Sequence, residues 1–128
     1  MSSSAPVQNT LTSLKVLCLD NDLTILQGMQ LLLDKWGCQL FLAQTPEQAQ
    51  QILSAETIQV LLVDQHLDAD IEGLEFLLKY NSNKIPAALI TADSNPDLPQ
   101  IVKEHSIVLL KKPLKPAALR AFLAGIRA

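Results

Sequence analysis

The chain is poor in the residues that staple a fold, ligate metals or grip polyanions. It has only two cysteines, Cys18 and Cys38, each in an apolar context and at no metal-ligand spacing. This argues against a disulfide framework and a thiolate metal site, and reads as two reduced, buried thiols of a cytoplasmic protein. Neither lies near a histidine in sequence, so a cysteine nucleophile has no support. No basic block exceeds the pair Lys111-Lys112, and 10 basic against 13 acidic residues leave a net charge of −3. Neither nucleic acid nor an anionic membrane is expected as main partner. No apolar run approaches the roughly 20 residues that cross a bilayer. The opening MSSSAPVQNT has no positive stretch and no apolar stretch, so a signal peptide is not expected.

What remains is ample for one globular unit. The 128 residues, 48% of them hydrophobic, suit a single domain with a real core. Residues 1–13 are Ser-, Thr-, Pro-, Ala- and Gln-rich without periodicity and are expected to form a flexible lead or linker, followed by a domain over 14–128.

From Lys15 onward, two kinds of segment alternate. Short runs rich in Val, Leu and Ile read as buried strands, at Val16 to Leu19, Gln39 to Ala43, Gln59 to Val63, Ala87 to Ile90 and Ile107 to Leu110. Longer stretches between them read as helices. The first covers about Leu23 to Trp36, with Ile25, Leu26, Met29, Leu32, Leu33 and Trp36 on its apolar face, Asp22 as cap and Gly37 after its end. Thr45-Pro46-Glu47-Gln48 is a capping box opening the second. The third spans Gly73 to Tyr80, the fourth is short, near Pro96 to Glu104, and the last follows Pro116 with Leu119, Phe122, Leu123 and Ile126 on one face. Five strands, each read as buried on both faces and alternating with five helices, predict a doubly wound α/β domain. Its parallel sheet takes the order 2-1-3-4-5, and ligands bind outside the carboxyl ends of its strands.

The polar residues collect at those ends. The first strand runs into Asp20-Asn21-Asp22, the third into Asp64, the fourth into Thr91, and the fifth into Lys111-Lys112-Pro113. Singly each has an ordinary explanation: a helix cap, a turn former, a solvated lysine. Together they make a chemical set. A carboxylate can attack a phosphoryl group, a Mg²⁺ ion held by nearby oxygens can offset the repulsion between negative charges, and a lysine and a hydroxyl can hold the transferring oxygens.

With these residues in order, the chain resembles the receiver domains of bacterial two-component signalling, over about Leu14 to Arg127. The matching stretches are Val16-Leu-Cys-Leu-Asp-Asn-Asp22, Leu61-Leu-Val-Asp-Gln-His-Leu67, Gly73-Leu-Glu75, Leu89-Ile-Thr-Ala92 and Leu110-Lys-Lys-Pro113. The resemblance implies a three-layer flavodoxin-like fold and a non-enzymatic phosphoacceptor that can lose its phosphoryl group by itself. Asp64 would accept the phosphoryl group from a histidine kinase or a phosphotransfer domain. Mg²⁺ would bind through Asp20, Asn21, Asp64 and the main-chain carbonyl of His66, with Asp22 as a further candidate. Thr91, Ala92 and Lys112 would contact or make room for the phosphoryl group, and the Lys112-Pro113 bond would be cis. The His66 ring would sit at the rim and tune dephosphorylation; His105 reads as structural or solvated.

Three departures from the family pattern stand out. Asn21 replaces a second acid, which predicts weaker Mg²⁺ binding. Asp68 stands where proline is common, which predicts a looser loop. Leu109 stands where many receivers carry an aromatic that rotates on activation, which points to movement of the fourth helix without a ring flip. No output module follows the last helix, so the expectation is a free-standing receiver or, preferably, the C-terminal piece of a hybrid sensor histidine kinase. The downstream protein is unknown, and dimerisation stays open.

Two other readings compete. Asp20-Asn-Asp-Leu-Thr-Ile25 also resembles the first motif of the haloacid dehalogenase-like phosphatases, with Asp20 as nucleophile and Asp22 as general acid. That family needs an acidic pair beyond the lysine, and no Asp or Glu follows Glu104. It also leaves Asp64 without a purpose. The third reading is a receiver-like adaptor that is never phosphorylated; it leans on Asn21 and Leu109, against the retention of Asp64, Thr91 and Lys112.

Overall fold

A computed structural model describes residues 11–127. The order of elements is β1 (Lys15–Leu19), α1 (Leu23–Lys35), β2 (Gln39–Ala43), α2 (Pro46–Ala55), β3 (Val60–Asp64), α3 (Gly73–Tyr80), β4 (Ala87–Thr91), α4 (Leu98–Glu104), β5 (Val108–Lys111) and α5 (Pro116–Arg127). The strands form one parallel sheet in the expected order β2-β1-β3-β4-β5, one of the two common doubly wound arrangements.

Strand periodicity divides the core into two layers, because successive side chains leave a strand on opposite faces. Val16, Cys18, Val60, Leu62, Ala88, Ile90 and Leu110 pack with Leu26, Met29 and Leu33 of α1 and Leu119 and Leu123 of α5. Leu17, Leu19, Leu61, Val63 and Leu89 face the other way, onto Ala49 of α2, Phe76 and Leu77 of α3, and Leu98 and Val102 of α4. Asp20 and Asp64 continue the even-numbered series, which places them on the α1/α5 side of the sheet.

Local chemistry sets the helix ends. The Asp22 side chain accepts the Thr24 N–H at 2.9 Å and caps α1, and Gly37 closes that helix at a φ of 83°, a conformation that favours glycine. Thr45 Oγ1 accepts the Gln48 N–H, but Gln48 Oε1 reaches one residue further back than a capping box requires and takes the Gln44 N–H at 2.7 Å.

Three expectations are corrected. Burial on both faces holds for β3 and β4 and nearly throughout β1, whereas β2 and β5 are sheet edges, with Gln39, Val108 and Lys111 exposed. Ile25, placed on the apolar face of α1, is 39% exposed because the buried stripe runs through Leu26, Met29 and Leu33. Leu11, placed in the flexible lead, is fully buried in the α1/α5 layer, and Ser13 donates its N–H to the Gly37 carbonyl at 2.7 Å. The rest of the flexible lead expected over residues 1–13 lies outside the described residues. Cys18 and Cys38 are both buried and free, and burial pushes the Cys18 thiol far above its ordinary range.

Phe76 is the largest fully buried side chain among the described residues, its ring tilted against that of Tyr80 with centroids 5.3 Å apart. Phe76→Ala is expected to cost about 3–5 kcal/mol in urea unfolding; a loss under about 1 kcal/mol would contradict this packing.

Candidate functional site

Sheet register builds the site. Leu19 pairs with Val63, so the next residues, Asp20 and Asp64, leave adjacent strands side by side. Asp64 pairs with Ile90 and Thr91 with Lys111, and the Lys112 N–H donates to the Thr91 carbonyl at 2.9 Å. Four strands thus deliver Asp20, Asp64, Thr91 and Lys112 to one edge of the sheet.

Among the described residues, the buried polar or charged residues are Asp20, Asp64 and Thr91, at 7, 3 and 1% exposure. Burying a carboxylate is expensive unless charge or hydrogen bonds compensate it. Here compensation is partial. Asp64 Oδ2 accepts the His66 N–H at 3.0 Å. Asp64 Oδ1 lies 2.7 Å from Lys112 Nζ, but no well-directed hydrogen bond reaches it. The pair is therefore held by charge, and one carboxylate oxygen keeps its coordinating capacity. Asp20 Oδ1 accepts the Asp22 N–H at 2.9 Å. Burial above all, and then the charge of Asp64, hold the Asp20 carboxyl above the ordinary carboxylate range, against the lowering effect of the Asp22 N–H and Lys112. Asp20, Asp64 and Lys112 line a cavity of about 250 Å³ whose other walls are largely apolar, Ile25, Met29 and Ile90 among them.

Two close carboxylates, one with an oxygen lacking a directed hydrogen bond, fit a hard divalent cation that takes oxygen ligands. Among the described residues no three His, Cys, Asp or Glu side chains converge, and neutral oxygens such as amides and main-chain carbonyls can add to the two carboxylates.

The other expected site residues take varied places. Asn21 is half-buried, and its Nδ2 donates to Asp68 Oδ2 at 2.8 Å. Asp22 is exposed and serves as the α1 cap. The His66 ring is exposed and held by Glu72 at 2.8 Å, while its backbone lies against Asp64. Ala92 is exposed just after Thr91. The Lys112-Pro113 bond is cis. His105 is the exposed cap residue at the end of α4. Leu109 is partly buried on the α4 side of the sheet.

Some contributors have roles that only the folded chain shows, although Gly73 and Gln65 lie in stretches that carry the family resemblance. A Cβ at Gly73 would overlap the Asp64 main-chain carbonyl oxygen, so only glycine lets α3 start this close to the acid. Gln65 supports the same junction, accepting the Gly73 N–H on its carbonyl and the Leu74 N–H on Oε1, both at 2.9 Å. Beyond Thr91, side-chain oxygens each take the N–H two residues on. Asp93 donates to Thr91 Oγ1 at 2.8 Å, Asn95 to Asp93 Oδ1 at 2.9 Å and Asp97 to Asn95 Oδ1 at 3.0 Å, up to the residue that precedes α4. Each is a common local turn; in series they join the buried hydroxyl to a helix.

Two outcomes follow. With its carboxyl raised above the unfolded-state value, Asp20 binds a proton more tightly in the folded protein. Stability therefore rises as pH falls through the window above the ordinary carboxylate range, and at neutral pH the ionised group is a burden. Asp20→Asn should melt a few degrees higher than wild type at pH 7 without divalent cations, the gap closing as pH falls; a lower-melting variant at pH 7 contradicts this. Gly73→Ala should cost about 1–3 kcal/mol in urea unfolding by forcing α3 off β3, and an unchanged midpoint would contradict the close approach.

The likenesses to known proteins agree with this geometry. The family model for the response regulator receiver domain matches residues 16–124. No curated relative matches the chain. Among solved structures, the signal receiver domain of an HD domain-containing protein from Pseudomonas fluorescens Pf-5 is 24% identical, with a TM-score of 0.80 over 89% of this chain and 94% of that one. A CheY-like response regulator receiver domain protein from Methanospirillum hungatei JF-1 is 20% identical, with a TM-score of 0.80 over 91% of this chain and 94% of that one. A two-component response regulator from Clostridium difficile is 22% identical, with a TM-score of 0.80 over 88% of this chain and 93% of that one. At these identities the structures speak for the fold, and the family match carries the assignment: the chain belongs to the receiver domains of two-component response regulators, which are phosphoacceptor signalling domains.

Proposed function

We propose that Asp64 is the phosphoacceptor of this receiver and that the signal leaves through the β4–α4 loop. The observation that carries this reading is the Asp64 carboxylate itself: buried at the end of a central strand, with Oδ1 ion-paired to Lys112 Nζ at 2.7 Å and Oδ2 accepting the His66 N–H.

In the reaction, an Asp64 oxygen forms a bond to phosphorus as the bond from phosphorus to the donor's imidazole nitrogen breaks. The donor imidazole, carrying a proton on its other ring nitrogen, leaves as a neutral base with the electron pair of the broken nitrogen–phosphorus bond. Lys112 Nζ stays beside the acid and meets the negative charge that the phosphoryl oxygens bring. The Thr91 hydroxyl, whose oxygen accepts from Asp93, has its own proton to donate to a phosphoryl oxygen. Ala92, exposed just after Thr91, adds only a methyl group and so leaves room for the phosphoryl group. Receiver domains in general bind Mg²⁺ at the acidic phosphorylation site; here Asp20, Asn21, Asp64 and the His66 carbonyl would hold it, and it would offset charge on the transferring oxygens. Phosphoryl donors are a histidine kinase or a phosphotransfer domain, working in the cytoplasm. Among the described residues no helix is long and apolar enough to cross a membrane.

A Thr91 hydroxyl drawn toward the phosphoryl group loosens its bond to Asp93, the first of the three turns that lead to α4. This supplies a route to α4 that needs no rotating aromatic, consistent with leucine at position 109. Release of the phosphoryl group follows attack of water on the acyl phosphate, with the His66 ring, fixed by Glu72, at the rim.

Treatment with acetyl phosphate and Mg²⁺ followed by peptide mass mapping tests the assignment. A single phosphoryl adduct is expected on Asp64, absent from Asp64→Asn and reduced at least tenfold in Lys112→Ala. An adduct on Asp20 would instead favour the phosphatase reading, and no adduct at all the adaptor.

A further inference from the structure

Two departures from the family pattern meet in space. Asn21, where an acid is usual, and Asp68, where proline is common, share the 2.8 Å hydrogen bond from Asn21 Nδ2 to Asp68 Oδ2. Asp68 sits at a φ of 49°. Proline, locked near −65°, cannot adopt that conformation, whereas Asp is among the residues that tolerate it. The exchange of proline for Asp therefore permits the backbone that brings this carboxylate to the amide, forty-seven positions away in sequence.

The bond also fixes the amide. An ionised carboxylate only accepts, so the nitrogen of Asn21 must face Asp68, and Oδ1 occupies the other corner of the group. That oxygen belongs to the residue directly after Asp20, which leaves β1 next to Asp64 at the end of β3. Asp68 does not complete a three-carboxylate cluster with Asp20 and Asp64. Its influence on the site runs through Asn21.

We infer that Asp68 is a positioning residue for the cation site: it holds Asn21 with Oδ1 turned to the cation and restores, one hydrogen bond away, the negative charge that position 21 lacks. Groups that orient metal ligands from behind commonly change affinity by about 10–100-fold when removed. Asp68 is exposed and Asn21 half-buried, so solvent screening puts the expected effect at the lower end. The inference rests on the cation site described under the proposed function.

Calorimetric titration of the whole chain with MgCl₂ tests it, beside thermal melting without Mg²⁺. Asp68→Asn keeps a side chain that suits the left-handed backbone and can still pair with Asn21, but it removes the charge. Its Mg²⁺ dissociation constant should rise about tenfold, with little change in melting. The double variant Asn21→Asp with Asp68→Asn moves the charge to position 21 and re-forms the bond with roles exchanged; its affinity should return to wild type or exceed it. A purely structural role would shift melting and would not be rescued by the exchange. Asp68→Asn binding Mg²⁺ within twofold of wild type overturns the inference. If Asp64→Asn abolishes binding in the same series, the cation site survives that result; if Asp64→Asn binds like wild type, the site reading falls and the inference with it.

Discussion

Charge burial governs this domain. Asp64 lies at the end of the central strand β3, almost wholly removed from water, with Asp20 beside it just past the end of β1 and one ammonium, Lys112, 2.7 Å from its Oδ1. Two carboxylates against one cation leave an excess of negative charge inside the protein. Burial above all, and then the neighbouring charge of Asp64, raise the proton affinity of Asp20. A core designed only for stability would replace such a group with an apolar one. Retaining it makes sense where a cation and a phosphoryl group arrive to use it.

The surrounding fold serves that arrangement at short range. The register of β1, β3, β4 and β5 aligns the four key side chains, and the absence of a side chain at Gly73 lets α3 start against the Asp64 backbone. The loop after β4 is tied from Thr91 to Asp97 by local bonds of single side-chain oxygens. Such bonds contribute about 1 kcal/mol each, a scale that a new contact to a phosphoryl oxygen can match. This is a physical basis for a loop that changes state without unfolding the α4 helix.

Much of this was legible in the sequence because it depends on local pattern. Alternating apolar runs and helical stripes gave the strands and helices, and with the 2-1-3-4-5 order, one of two common for such sheets, the polar residues at strand ends meet. The residues that escaped reading depend on three-dimensional proximity. Ile25 sits at the margin of the α1 stripe, where periodicity cannot separate half-buried from exposed. Burial of the edge strands β2 and β5 depends on what lies beyond the sheet, which no single segment encodes. Leu11 looked like part of a polar lead because one apolar residue makes no period. Asn21 and Asp68 each looked like a lone departure, and only the folded chain makes them a pair.

The central claim is that the oxygens and ammonium around Asp64 form a pocket for a PO₃ group. Beryllofluoride, which mimics an acyl phosphate without covalent transfer, tests it by amide NMR in the presence of Mg²⁺. The account predicts saturable shifts at Asp64, Thr91 and Lys112 that continue through Asp93 and Asn95 into α4, and none in Asp64→Asn. Equal shifts in Asp64→Asn, or no shifts in the wild-type domain, would contradict it.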